Sequence, residues 1–280
     1  MIEIFSLLFF SSHMEDISHK DSGDTSQASS TDDNWKERAK ALLNLHGLSA
    51  TEDPFFRMYQ KDKYARDRVM KSARLLLPYL KGGDMVLDVG CYTQEARKYY
   101  PYDVKYTGID KEKFHKDTIK VNLDHGFEPI SCKAALCLET LEHLIDPSDV
   151  LESIQKSLDP AGRLVVSLPN EATLFHRIRS LLGTVDAGCF QGEGKHLHLP
   201  SLRQARVFLS KHFQIEKELY YISPSACGSK QAWVGRMLTL LPDRFWQALA
   251  DWKPSLFARG WIFLLKPLPN TELTSVENKA

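Results

Sequence analysis

From Met85 onward the chain reads as short apolar runs separated by turns and helical stretches. The runs at Met85–Val89, Lys105–Ile109, Thr118–Val121, Ala134–Cys137 and Arg163–Leu168 predict strands, with helical segments near Gln94–Tyr99 and Ser148–Leu158. Strands alternating with helices predict a parallel sheet with right-handed crossovers. Past Asn170 the pattern predicts a helix at Thr173–Leu182, a glycine-containing loop at Gly183–Gly194 and a helix opened by Pro200 and Ser201. A strand at Phe213–Ile222, two helices around Lys230–Ala250 and a last strand at Arg259–Lys266 follow. The expectation is an α/β domain over 82–270, with a doubly wound, mainly parallel sheet and an inserted lid at about 171–200.

Ahead of this domain the grammar differs. Residues 11–33 are rich in Ser, Asp, Thr and His and nearly devoid of apolar side chains, which predicts a disordered tail. The apolar run Ile4–Phe10 follows Glu3 and is too short to span a bilayer, which takes about 20 residues. It reads as a cryptic signal or as an over-called start, with Met14 the preferred beginning. Helices at Trp35–Leu45 and Met58–Leu80 form an N-terminal extension over 34–81. The second carries Tyr64, Val69, Ala73, Leu76, Leu77 and Leu80 at helical spacing. Residues 271–280 read as a flexible tail.

Charge and cysteine content narrow the function. Lys+Arg and Asp+Glu balance at 36 each, so no whole-molecule field gathers nucleic acid, and no nucleic-acid partner is expected. The five cysteines are odd in number and lack CxxC spacing, which argues against a disulfide framework or a zinc finger and for reduced thiols in a cytoplasmic protein. No apolar run is long enough to predict a transmembrane span.

The chemistry concentrates at Val86–Glu95. A buried strand runs into Gly90, where the backbone can approach a ligand that a side chain would block. The following helix start offers unpaired N–H groups. Asp110, at the tip of the next strand, can accept hydrogen bonds from both hydroxyls of a ribose. Ligands of open α/β sheets bind at such strand ends. A dinucleotide would want G-x-G-x-x-G, but the stretch from Gly90 reads Gly-Cys-Tyr-Thr-Gln-Glu, which leaves an oxidoreductase as a weak alternative.

Val-Leu-Asp-Val-Gly-Cys (86–91), Cys-Leu-Glu-Thr-Leu-Glu-His-Leu-Ile-Asp-Pro (137–147) and Leu-Asp-Pro-Ala-Gly-Arg-Leu-Val-Val-Ser-Leu-Pro-Asn (158–170) occur in order. Together they resemble the motifs of class I S-adenosylmethionine-dependent methyltransferases, of the methyltransferase-11/23 type. Leu-Pro-Asn-x-x-x-Leu-x-x-Arg and His-Leu-His (196–198) are most similar to the methionine-biosynthesis-protein-W group. The resemblance implies a Rossmann-like fold, S-adenosyl-L-methionine as cofactor, and methyl transfer to an O, N or C nucleophile of a small-molecule acceptor.

It further implies that Asp88 organises the turn beneath the methionine moiety, with Gly90, Cys91 and Tyr92 facing the cofactor. Asp110 takes the ribose, Asn122 and Leu123 the adenine, and Cys137 and Leu138 the methionine part. His143 is the candidate catalytic base, and Asn170, His196 and His198 stand on the substrate side. The family's second and third glycines are Tyr92 and Gln94 here, and Gln94 either crowds the cofactor carboxylate or hydrogen-bonds it. A catalytically degenerate binding module on the same fold is therefore the first competing reading. Glu142 is either a site residue or a helix-start acid satisfying backbone groups. His196 and His198 alternate as metal ligands do, but no third ligand follows at suitable spacing, so no metal is expected. The helices at 233–252 offer a face for a protein partner or an oligomer.

Overall fold

Apart from a short edge strand, the strands of the central sheet alternate their side chains between two helical layers. On β1 (Met85–Val89), Leu87 and Val89 point to one face and Val86 to the other. The same division runs through β2 (Lys105–Asp110), β4 (Cys132–Leu138) and β5 (Leu158–Pro169), and through β6 (Phe213–Tyr221) and β7 (Gly260–Pro267), whereas β3 (Ile119–Lys120) at the sheet edge leaves both its side chains exposed. On β7, Trp261, Phe263 and Leu265 join one core, and Ile262 and Leu264 the other. Strands buried on both faces read as continuous apolar runs, which is why the expected strands lie where the sheet lies. The structure, a computed structural model, describes residues 63–183, 196–222 and 241–268. The expected tail and first helix, residues 184–195 of the loop, the first of the two helices near 230–250 and the C-terminal tail fall outside these.

The seven strands are ordered β3-β2-β1-β4-β5-β7-β6. Pairs from β3 to β5 are parallel, whereas β7 runs antiparallel between β5 and β6. The order reverses at β1, so the crevice beyond β1 and β4 is the switch point where such sheets take ligands.

One layer is helix α1 (Lys63–Leu76), which buries Val69, Ala73 and Leu76. The expected helix reached Leu80. Pro78 ends it sooner, and Leu77–Tyr79 tighten into a 3-10 turn. The other layer holds α2 (Pro147–Ser157), α4 (Leu202–Ser210) and α5 (Asp243–Trp252), through Val150, Leu151, Ile154, Leu202, Ala205, Leu209, Trp246 and Ala250. Asp146 caps α2, and Ser201 caps α4 with a full capping box to Gln204. Between these lies α3 (Leu174–Leu181), and α6 (Pro254–Phe257) leads into β7. On α5, Phe245 and Trp252 stay exposed on the face expected to meet a partner. Among the described residues, no helix is long and apolar enough to cross a membrane.

Candidate functional site

The strand-turn at Gly90 is built much as its residues demand, with one departure. Gly90 adopts φ 72°, and a Cβ there would meet Thr140 Oγ1 at 2.2 Å, so glycine lets the β1 and β4 turns close on each other. The departure is the expected helix at Gln94–Tyr99, which is only a 3-10 helix, Glu95–Tyr99, entered from Gln94 in the left-handed region and left at Tyr100 and Pro101. A turn this short offers no helix-dipole anion site, so backbone and side chains must supply the cofactor contacts.

Tyr92 (φ 43°) and Gln94 (φ 57°) stand where the resemblance expects glycines, and both keep the left-handed backbone that glycine favours. Holding a non-glycine residue there costs about 1–2 kcal/mol each. Gln94 is compensated by its surroundings: it is 4% exposed, and its Nε2 donates to Thr118 Oγ1 at 3.0 Å. Gly108 on β2 makes the room, since a Cβ there would come within 2.8 Å of Gln94 Nε2 and 2.6 Å of Cys91 Sγ. The Gln94 side chain is thus laid against β2 and bonded to the β2–β3 connection. Cys91 is buried beside it, its thiol 3.7 Å from Thr118 Oγ1, so its side chain is packing and only its backbone can face a ligand.

Asp110 ends β2 half-buried, with Oδ2 accepting from the Tyr92 amide at 2.8 Å and Oδ1 from the Glu112 amide at 3.1 Å. Each oxygen keeps a further lone pair, so the carboxylate is oriented for a diol. Asp88 lies beneath, buried on the α1 face, and takes a hydrogen bond from the Tyr106 hydroxyl. Burial pushes its pKa up to about 7, with the nearby Asp110 charge adding to the rise and Tyr106 opposing it. Asp88 is therefore held within the protein, out of reach of solvent.

Other expected residues are sorted by the fold. Leu123 is buried, and Asn122 is exposed with its Oδ1 accepting from the Asp124 amide at 3.2 Å. Cys137 is sealed in the core at 0% exposure, which corrects its expected cofactor contact; Leu138 is half-buried on the opposite face. Asn170 is also a correction. At 1% exposure its Nδ2 donates to the Ala258 carbonyl at 2.9 Å and its Oδ1 accepts from the Ala172 amide, so it braces the chain entering β7 instead of facing an acceptor.

The turn after β4 gathers more chemistry than the sequence indicated. Glu139, in the left-handed region (φ 52°), pairs with Arg68 of α1 at 3.0 Å and accepts from Ser167 and Tyr221 hydroxyls. Arg68 thereby becomes a largely buried cation over the ends of β4 and β5. No local pattern marks it, because its site comes from a helix far away in the chain. Glu142 and His143 follow in the 3-10 turn Leu141–His143. Glu142 is 1% exposed, and burial pushes its pKa up to about 8. Its carbonyl accepts the amides of Leu197 at 2.7 Å and His198 at 3.1 Å. That latch sets His196 edge-on to His143, ring centroids 4.8 Å apart, with Nδ1 3.3 Å from Glu171. The hydrogen bond from His196 is first among the influences holding Glu171 below the usual carboxylate range. His198 goes elsewhere, its Nε2 2.9 Å from the Leu144 carbonyl.

The family follows from comparison. A methyltransferase-domain profile matches residues 60–212. The chain belongs to the methyltransferase-domain family. Its sheet is the Rossmann-like sheet of class I S-adenosylmethionine-dependent methyltransferases, and S-adenosylmethionine is the cofactor that family and fold imply. An S-adenosylmethionine-dependent methyltransferase from Archaeoglobus fulgidus superposes with TM-score 0.50 at 17% identity, over 76% of this chain and all (100%) of that one. The N-methyltransferase NodS from Bradyrhizobium japonicum WM9, solved with S-adenosyl-L-homocysteine, superposes with TM-score 0.50 at 13% identity, over 83% of this chain and 98% of that one. At such identities these likenesses speak for the fold alone. No curated protein sequence matches the chain.

Proposed function

We propose that this protein transfers the methyl group of S-adenosylmethionine to an O, N or C nucleophile of a small-molecule acceptor. The observation that carries the reading is Asp110, a carboxylate oriented by two backbone amides at the tip of β2, next to the Gly90 turn. Asp110 would hold the ribose hydroxyls, and the Gly90–Tyr92 backbone and Leu138 would line the methionine part. Leu123 and Asn122 fall at the adenine end. The bound cofactor supplies an electrophilic methyl on a sulfonium, and transfer asks chiefly for alignment and exclusion of water. His143, half-buried in the turn after β4, would hold an acceptor proton where the nucleophile needs one removed. The laying aside of Gln94 against Thr118 weighs against the degenerate-module reading, since the residue expected to crowd the site is bonded elsewhere.

Cys91, Cys132 and Cys137 are all free and buried, which supports a reducing, cytoplasmic setting. Calorimetry with S-adenosylmethionine, S-adenosylhomocysteine and NAD tests the reading. Binding of the first two and not of NAD is expected, and failure of both to bind overturns it. Binding without turnover on any acceptor would favour the module.

A further inference from the structure

Glu142, His143 and His196 each offer a ligand atom, and these atoms lie within 4.8 Å of one another. We propose that the three bind a divalent transition-metal cation, of the Zn²⁺ or Mn²⁺ kind, beside the β4 turn. Local spacing pointed away from a metal because His196 had no third ligand near it in the chain. The fold supplies two others from the turn after β4, held to the 196–198 segment by the amides of Leu197 and His198 on the Glu142 carbonyl.

The Glu142 carboxylate is the clearest sign. It is 1% exposed, and neither oxygen has a hydrogen-bond partner. A buried carboxyl without a hydrogen-bond partner is costly whether it holds its proton or has lost it. A cation between Glu142 and the two imidazoles meets that need. His196 adds an independent sign: its Nδ1 lies 3.3 Å from a Glu171 carboxylate oxygen, and on this proposal Nε2 would be the ligand atom. A carboxylate on the far nitrogen is the usual way a ligating histidine is oriented and made more basic. Glu171 is itself steadied by Arg259 at 3.7 Å and His176 at 3.9 Å.

Two imidazoles and one carboxylate suit borderline transition metals better than the all-oxygen shells of Mg²⁺ and Ca²⁺. Ligand atoms around a cation with bonds of about 2.1 Å lie roughly 3–3.5 Å apart, so side-chain shifts of about 1 Å complete the site. Three protein ligands leave at least one position open. The site follows Thr140, which abuts Gly90, so the open position lies near the cofactor turn. On the methyltransferase reading, it would take an acceptor bearing an oxygen donor such as a hydroxyl or carboxylate and orient that oxygen, with His143 then a ligand and not the proton acceptor.

The test uses the full chain, stripped with a chelator and titrated with Zn²⁺ by calorimetry and with Co²⁺ by visible absorption. One equivalent should bind. Glu142→Gln and His196→Ala should each weaken binding about 100-fold or more, and Glu171→Gln about tenfold or more, as expected for a ligand and for its orienting partner. His125→Ala, at an exposed imidazole, should change nothing. Absence of a stoichiometric site in the folded protein overturns the proposal, and so does undiminished affinity in a folded Glu142→Gln or His196→Ala variant. S-adenosylhomocysteine titrated in parallel separates the two readings. Metal binding without it removes the methyl-transfer reading alone, and its binding without metal removes this one alone.

Discussion

Asp88→Asn should flatten the pH dependence of stability. Asp88 is buried beside the Tyr106 hydroxyl, and burial lifts its pKa from 3.8 to about 7. In the unfolded chain the same carboxyl titrates near 4. Between those values the folded protein holds a proton that the unfolded chain has released. The contribution is therefore fully present below about pH 4 and is lost as pH rises through 7. A rise from 3.8 to about 7 corresponds to about 4 kcal/mol, with a limiting slope of about 1.4 kcal/mol per pH unit. Asparagine is neutral, close in shape, and keeps an oxygen to accept from Tyr106. Urea unfolding of both proteins at pH 5, 6, 7 and 8 isolates the effect, because other titrating groups cancel in the difference. The variant should gain on the parent between pH 5 and 7 and the gap should level off toward pH 8. Parallel curves, or a gap closing as pH rises, would show Asp88 ionised in the folded protein and would refute the reasoning.

Other consequences follow from the same geometry. Asp110→Ala removes the ribose acceptor and the anchor of the Tyr92 amide, at about 1.5–3 kcal/mol per charged hydrogen bond, so S-adenosylhomocysteine affinity should fall roughly tenfold or more. Unchanged affinity by calorimetry would remove its assigned role. Gly90→Ala meets Thr140 and a left-handed φ together, and should lower stability by about 2 kcal/mol or more in a denaturant titration. Arg68→Ala leaves Glu139 largely buried without its cation, and should cost about 3 kcal/mol. The double change Arg68→Met, Glu139→Gln should cost less, and a double variant weaker than the single would contradict that account. Asn170→Ala frees buried carbonyl and amide groups around Ala258 and Ala172, and a loss of about 1–3 kcal/mol should appear in thermal unfolding.

The strands β1, β4, β5 and β7 were legible because each carries an apolar run, and burial on both faces gives that pattern whatever the neighbouring strands are. Gly90 and Asp110 were legible for a related reason: each ends its own strand, so its place follows from local structure. The 95–99 segment was less so. Its composition allows a helix, but Gln94 enters it left-handed, with its side chain drawn to Thr118, and only a 3-10 turn forms. Cys137 and Asn170 were misjudged in kind. Position near a strand end was visible, but whether each side chain turned to core, backbone or cleft depended on partners such as Ala258, distant in the chain.

Sequence alone determined the α/β class, most strand positions and the glycine turn at the end of β1, since these rest on periodicity and on what one backbone segment can do by itself. Tertiary structure alone decided that β7 runs antiparallel between β5 and β6, because strand direction depends on how distant connections cross the sheet. It also decided that Arg68 meets Glu139 and that Glu142, His143 and His196 converge. Those groupings join segments with no local interaction, held together by the packing of α1 on the sheet and by two amides on one buried carbonyl.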